Sequence, residues 1–187
     1  MLPHRGQFLY DYKTSEDTEL RRTFDAVTAG GINLMDTADS YGTGAFAGRS
    51  ESLLGDFSAS SATAAGRSVL LATKFAPYPS RLSPESVVAA AQESLARLKR
   101  PAVDLGQLHW SVSSYAPWQE QALWEGVARC YEKGIVRAVG VSNYGPERLR
   151  AIAAFMAPRG VPLVANQVPC LCSPSVAMHS LSRFFSP

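Results

Sequence analysis

Strand-like apolar segments recur along this chain, and each one ends at a polar or ionisable residue. Their final residues, in chain order, are Asp36, Lys74, His109, Ser142 and Gln167. These ends lie 25 to 38 residues apart, which leaves room for one helix and two short connections between successive strands. Alternation of strand and helix at this period predicts a parallel sheet built from repeated βαβ units.

Two parallel architectures compete for this pattern. A doubly wound sheet that binds a dinucleotide carries a G-x-G-x-x-G turn after a strand, and this chain has no such turn at that place. The pattern therefore favours an α/β barrel of the (β/α)8 type, of which about five of the eight strand–helix units are recognisable. A smaller α/β domain is the alternative left open.

Helix signals occupy the intervals between the strands. Ser15 is expected to cap the first helix, and Ser83 followed by Pro84 is a typical start for the third. Two later helices are expected to begin at Pro117 and Pro146. The predicted strands cover residues 32–35, 69–73, 105–109, 136–141 and 163–165.

Composition describes a folded protein of ordinary character. The 187 residues are 46% hydrophobic and 18% charged, a balance typical of one globular domain. The net charge of +2 comes without a long basic run, so neither nucleic acid nor an anionic membrane is indicated as a partner. No apolar run reaches the roughly 18 residues of a spanning helix. The first residues lack the apolar stretch of a secretory signal.

Cysteine usage indicates neither a disulfide framework nor a metal site. The three cysteines form an odd set. Cys170 and Cys172 are separated by one residue, and no second Cys or His pair accompanies them. We therefore expect no metal.

Four residues near the strand ends form a candidate catalytic set. Because the carboxyl ends of barrel strands share one rim, Asp36, Lys74 and His109 are expected to meet there, with Tyr41 on the loop after the first strand. A neighbouring ammonium favours the ionised form of a phenol, and a carboxylate can hold that ammonium. An imidazole can donate a hydrogen bond to a developing oxyanion. This chemistry suits proton transfer to a carbonyl oxygen, with a nicotinamide cofactor as the reductant.

Each member of the set also has a purely structural interpretation. Lys74 and Asp36 could form an ion pair that serves the fold alone. His109, beside Trp110, could be a half-buried histidine with satisfied hydrogen bonds, and Tyr41 could close a loop. The residue types by themselves leave both interpretations open.

Several segments resemble the signatures of the aldo-keto reductase family, in order and at the family's spacing. They cover residues 36–42 (D-T-A-D-S-Y-G), 50–55, 72–75, 108–110 and 133–144. The resemblance implies a (β/α)8 barrel that reduces carbonyl groups with NADPH. It places the family's catalytic tetrad on Asp36, Tyr41, Lys74 and His109, with the tyrosine as the proton donor. The residues that hold the nicotinamide carboxamide correspond to Ser142, Asn143 and Gln167.

Within that family, further segments resemble the plant pyridoxal reductases of the chloroplast. They are residues 39–44, 74–79, 106–111, 114–117 and 144–146. This resemblance implies reduction of pyridoxal to pyridoxine in the plastid, with a small aldehyde as the partner. Two alternatives stay open: reduction of another aldehyde, or a non-catalytic fragment or regulatory subunit, as the family's potassium-channel β-subunits are.

The resemblance covers part of the family's pattern. It begins after the family's first barrel strand and ends near Val168, and Cys170 and Cys172 follow where the family has an aromatic residue and a serine. We predict a partial barrel at 1–169 and a tail without a family counterpart at 170–187. Because the family's phosphate-binding loops lie beyond the match, we expect weak or no NADPH affinity. Open barrel edges are expected to promote self-association.

Overall fold

A computed structural model of the protein describes residues 12–42, 44–59 and 68–168. Within these ranges, five α-helices alternate with five strands. The helices are α1 (Asp17–Ala29), α2 (Arg49–Ala59), α3 (Pro84–Leu98), α4 (Pro117–Glu132) and α5 (Pro146–Met156). The strands are β1 (Leu34–Asp36), β2 (Leu70–Phe75), β3 (Leu105–Leu108), β4 (Val139–Ser142) and β5 (Leu163–Gln167).

The start of α3 follows the sequence signal. Ser83 has extended backbone geometry, and its side chain accepts a hydrogen bond of 3.3 Å from the Ser86 amide. This bond satisfies one of the amides that the first helical turn leaves without an intrahelical partner. Pro84 occupies the first helical position, where the missing N–H costs nothing.

The expected cap of α1 at Ser15 is wrong. Ser15 lies inside a 3-10 turn, Thr14–Glu16, which is closed by a hydrogen bond of 2.9 Å from the Glu16 amide to the Lys13 carbonyl. Helix α1 continues directly from this turn without a side-chain cap. The turn provides a backbone hydrogen bond at the start of the helix, where a serine hydroxyl would otherwise accept one from a free amide.

The five strands form one parallel sheet in the order β1-β2-β3-β4-β5. A sheet whose strands follow chain order is the arrangement of a barrel, whereas a doubly wound sheet reverses direction at a switch point. The predicted strands are confirmed in number and place, with ends that differ by no more than three residues. The largest difference is in β4, because Val136 forms an isolated bridge to Val103 outside the main ladder.

Strand register gives the sheet an inner face that carries the polar residues. Lys74 is aligned with Gln107, Gln107 with Gly140, and Gly140 with Ala165. Because side chains alternate along a strand, these residues share one face. A Cβ at Gly140 would lie 3.0 Å from the Gln107 side chain and 3.3 Å from the Ala165 Cβ, as the shared face requires.

The opposite face of the sheet packs against the helices and forms the core. Its buried strand residues include Leu71, Phe75, Leu108, Val139 and Val141. The helices contribute, among others, Val87, Ala91, Leu98, Leu123, Val127, Ile152 and Met156. Burial of each large apolar side chain stabilises the fold by roughly 1.5–3 kcal/mol. This layer holds the strands in place and thereby fixes where their carboxyl ends point.

The edge strands β1 and β5 each have one strand neighbour among the described residues. Apolar side chains on or beside these edges are between 46% and 56% exposed: Ile32, Leu34, Val164 and Val168. None of the helices in the described part of the chain is long and apolar enough to cross a membrane.

Candidate active site

The carboxyl ends of the strands surround an open pocket of about 250 Å³. Its lining consists of Tyr41, Lys74, His109, Ser142, Asn143, Gln167 and Val168. Six of the seven residues selected from the sequence therefore line one pocket. The seventh, Asp36, contacts Lys74 and Gln167 behind that lining. The structure brings the whole set together, and the roles assigned to its members stay predictions.

Lys74 lies at the centre of the site, with only 2% of its side chain exposed. Its Nζ forms an ion pair with Asp36, donates a hydrogen bond of 2.9 Å to the Thr37 carbonyl and lies 3.5 Å from the Tyr41 hydroxyl. A buried ammonium needs an opposite charge beside it, and Asp36, with 33% of its side chain exposed, supplies that charge. Lys74 and Asp36 thus form the ion pair that a purely structural role would require. The ammonium of this pair, however, also lies beside the Tyr41 phenol.

Two glutamine side chains complete the surroundings of Asp36. The amide of Gln107 donates to one carboxylate oxygen and that of Gln167 to the other, each at 3.2 Å. Sequence reasoning missed Gln107, which is buried on β3. The available signal was a polar residue inside an apolar run, two positions before His109 and therefore on the same face of the strand.

A turn after β1 places Tyr41 beside Lys74. The Asp39 amide donates to the Lys74 carbonyl at 3.0 Å, and its buried carboxylate accepts a hydrogen bond of 3.1 Å from the Ala76 amide. The same carboxylate forms an ion pair of 2.6 Å with Arg81. Burial raises the pKa of Asp39, and Arg81 opposes that rise. These contacts attach the turn to the end of β2 and limit where the phenol can go.

The His109 ring forms the opposite wall of the pocket. Its centroid lies 5.7 Å from that of Tyr41, in an edge-to-face arrangement, and 4.9 Å from the ring of Trp110. The Nδ1 atom lies 3.2 Å from the Ser40 hydroxyl. Both ring stacking and this polar contact therefore restrict the orientation of the imidazole.

The surroundings of His109 keep its imidazole neutral at neutral pH. The pKa of His109 falls from 6.5 to about 4. Burial is the largest cause, since it disfavours the charged ring; the Lys74 ammonium acts in the same direction, and the Asp36 carboxylate opposes the change. A neutral imidazole can donate one hydrogen bond and accept another.

The ends of β4 and β5 build the remaining wall from hydroxyl and amide groups. Ser142 donates from its hydroxyl to the Gln167 carbonyl at 2.9 Å. The Asn143 side-chain amide donates to the His109 carbonyl at 3.0 Å and to the Ser142 hydroxyl at 3.1 Å. Asn143 has a φ of 59°, the left-handed conformation that asparagine adopts more readily than most residues. In this conformation the Asn143 amide contacts both the His109 carbonyl and the Ser142 hydroxyl.

No group of three or more potential metal ligands occurs among the residues that the structure describes. Cys170 and Cys172, considered as a metal pair from the sequence, lie outside the described residues. The described site therefore combines a phenol, an ammonium, a carboxylate, a neutral imidazole and amide groups.

This combination can protonate a carbonyl oxygen and stabilise charge on it. Reduction needs a hydride donor as well, and the wall formed by Ser142, Asn143 and Gln167 has the chemistry to hold one. Its hydroxyl and amide groups offer both donors and acceptors, as a nicotinamide carboxamide requires. The residues present thus fit a nicotinamide cofactor.

Comparison with known protein families gives a match over nearly the whole chain. The model of the aldo/keto reductase family matches residues 6–183. The match includes residues on both sides of the predicted boundary at 169/170, and the division into a barrel part and a tail stays a prediction.

Two characterised relatives illustrate the range of similar proteins. The chloroplastic pyridoxal reductase of Arabidopsis thaliana is 52% identical over 165 residues, which cover 87% of this chain and 45% of that protein. The 6-dehydroglucose reductase of Novosphingobium aromaticivorans is 35% identical over 131 residues, covering 67% of this chain and 42% of that protein. This chain spans about half the length of the relatives that it matches.

Solved structures give the same answer for the fold. A thermostable aldo-keto reductase solved with the inhibitor epalrestat superimposes with a TM-score of 0.69 at 22% identity, covering 83% of this chain and 52% of that one. An aldo-keto reductase of Bombyx mori solved with NADP gives a TM-score of 0.66 at 20% identity, covering 85% and 50%. The five described strands therefore form about half of a (β/α)8 barrel.

Proposed function

This chain belongs to the aldo/keto reductase family, and on that premise we propose that its pocket reduces an aldehyde to an alcohol with NADPH. The observation that carries the proposal is the position of the buried Lys74 ammonium between the Asp36 carboxylate and the Tyr41 hydroxyl. A lysine that served the fold alone would have no need of a phenol at the pocket wall.

The proposed reaction uses each polar group of the pocket in one role. Tyr41 donates its proton to the carbonyl oxygen of the substrate, and Lys74 stabilises the resulting phenolate. His109 donates a hydrogen bond to the same oxygen and so stabilises the charge that develops there. Asp36, held by Gln107 and Gln167, keeps the lysine in place.

NADPH, when bound, supplies the hydride that adds to the carbonyl carbon. Ser142, Asn143 and Gln167 would hold its carboxamide, because their hydroxyl and amide groups can both donate and accept hydrogen bonds. Gln167 connects the two halves of the site, since its amide also contacts Asp36. The tests below use a saturating NADPH concentration.

Pyridoxal is the substrate that we favour. The support is the identity of 52% to a pyridoxal reductase, compared with 35% to a reductase of a sugar-derived substrate. The chloroplastic location in the name of that relative leads us to propose the plastid for this protein as well. Reduction of a different aldehyde is the second candidate.

The test is NADPH oxidation in the presence of pyridoxal, an aliphatic aldehyde and an unrelated aromatic aldehyde. We expect pyridoxal to give the highest kcat/KM. Tyr41→Phe keeps the ring but removes the proton donor, and it should lower kcat by about 10²–10⁴-fold. Tyr131→Phe, a tyrosine on α4 outside the pocket lining, is the matched control. A higher kcat/KM for another aldehyde would show that pyridoxal is the wrong substrate. Absence of turnover with all three aldehydes would refute the proposed reductase function.

A further inference from the structure

Ser40 is a polar residue of the site without a role in the proposed reaction. It precedes Tyr41 in the turn after β1, and its hydroxyl oxygen lies 3.2 Å from Nδ1 of His109. A neutral imidazole carries its single proton on one of two nitrogens, and the partner of one nitrogen decides which of them holds it. Ser40 is the side chain that contacts Nδ1 among the described residues.

The direction of this hydrogen bond follows from the task of the other ring nitrogen. A neutral imidazole donates from one nitrogen and accepts at the other. In the proposed reaction Nε2 donates to the carbonyl oxygen of the substrate. Nδ1 is then the nitrogen that accepts, and the Ser40 hydroxyl, 3.2 Å away, is the group that donates to it.

The surrounding turn gives Ser40 little freedom to leave this position. Its neighbour Asp39 is bound to the Ala76 amide and to Arg81, and Arg81 also stacks on the ring of Tyr78 at 4.9 Å. These contacts attach the turn to the end of β2 and so keep the Ser40 hydroxyl beside the imidazole.

We propose that Ser40 is a positioning residue that donates a hydrogen bond to Nδ1 of His109 and so keeps the ring proton on Nε2. In this state Nε2 is the nitrogen that donates to the carbonyl oxygen of the substrate. The consequence for turnover rests on the proposed function. The tautomer itself is a property of the free protein, and the two are measured separately.

The first measurement is ¹⁵N NMR of the imidazole nitrogens at neutral pH, where protonated and unprotonated nitrogens resonate far apart. The chain has three histidines, and His109→Asn identifies the signals of this one. We expect an unprotonated Nδ1 and a protonated Nε2 in the parent protein. Ser40→Ala should give a mixture of tautomers, whereas Ser40→Thr should retain the parent pattern because it keeps the hydroxyl. Ser80→Ala, an exposed serine on the loop after β2, is the control.

The second measurement is turnover of the same variants at saturating NADPH. Ser40→Ala should lower kcat about tenfold with KM nearly unchanged, because the donor of His109 is misplaced for part of the time. Ser40→Thr should keep kcat close to that of the parent, because it retains the hydroxyl. If Ser40→Ala changes the tautomer but no protein, the parent included, shows turnover, the role of Ser40 is supported and the reductase function is refuted. A proton on Nδ1 in the parent, or an unchanged spectrum in Ser40→Ala, would overturn the inference, and the parent spectrum decides this even if a variant fails to fold.

Discussion

At the scale of single residues, the protonation state of His109 determines what the pocket can do. A charged imidazole beside Lys74 would place two positive groups at one wall, whereas a neutral ring adds a hydrogen-bond donor without a charge. Burial, followed by the Lys74 ammonium, lowers the pKa of His109 to about 4. The ring is therefore neutral over the pH range in which an ordinary histidine would titrate, as its proposed role of hydrogen-bond donor requires.

This shift makes the stability of the fold depend on pH in a definite direction. The pKa of His109 is lower in the folded state than its ordinary value of 6.5, so between pH 6.5 and 4 the unfolded chain binds more protons at this residue. The stabilisation is complete above pH 6.5 and is lost as the pH falls toward 4. His109→Gln should therefore lose less stability than the parent between pH 7 and 5 in urea unfolding.

A direct titration of the ring tests the same statement. We expect the ¹H NMR signal assigned to His109 to show a midpoint near 4. A midpoint at 6.5 or above would contradict the electrostatic account of the pocket, and an equal pH response of His109→Gln and the parent would contradict the stability argument.

At the scale of elements, the buried pair of Asp39 and Arg81 joins the turn after β1 to the loop after β2. Only 2% of the Asp39 side chain is exposed, so its charge depends on Arg81. Arg81→Met should lower the free energy of unfolding by about 3–5 kcal/mol, because it leaves a buried carboxylate uncompensated. Arg137→Met breaks an exposed pair with Asp104 and should cost at most about 1 kcal/mol.

A second substitution separates the charge effect from the loss of packing. Adding Asp39→Asn to Arg81→Met removes the uncompensated charge and should recover part of the lost stability, since the amide oxygen can still accept from the Ala76 amide. Both free energies come from urea unfolding at neutral pH. If the double variant is as unstable as Arg81→Met or less stable, the arginine acts through packing against Tyr78 and not through charge.

The elements also show which features the sequence predicts and which it does not. The strands and the convergence of Asp36, Lys74 and His109 are predictable, because each residue ends an apolar run of strand length. The contact of Gln107 with Asp36 depends on the register between strands, which no local pattern encodes. The pairing of Asp39 with Arg81 likewise joins two loops whose sequences carry no mutual signal.

Some predicted helix and strand boundaries are wrong because the backbone forms a hydrogen-bonding pattern that the side chains do not signal. Ser15 has the chemistry of a cap, yet a 3-10 turn satisfies that region through the backbone. Val136 has the character of a strand residue, yet it pairs only with Val103 ahead of β4. The predicted division at 169/170 concerns residues outside the described part of the chain at its carboxyl side, and it stays a prediction.

At the scale of the whole molecule, both edges of the described half-barrel expose apolar side chains. Parallel strands are normally covered on both sides, and an uncovered edge presents free backbone groups to other chains. Apolar residues on β1 and β5, such as Leu34 and Val164, are about half exposed. We propose that these edges mediate self-association of this chain.

Light scattering after size-exclusion chromatography tests this proposal. The parent mass should rise with protein concentration. Val164→Lys places a charge on the β5 edge and should shift the chain toward the monomer. Ala154→Lys, on the exposed side of α5, is the matched control and should not change the mass. A parent that stays monomeric at every concentration would refute the proposal.

The most direct test of the central claim is a single-turnover measurement of pyridoxal reduction at saturating NADPH. This experiment isolates the chemical step from cofactor binding, and it compares the parent with Tyr41→Phe and Lys74→Met. If the pocket is a reductase site, the parent forms pyridoxine, and both variants slow that step by about 10²-fold or more. Product formation at equal rates in all three proteins would contradict the assignment of Tyr41 and Lys74, and with it the account of the site.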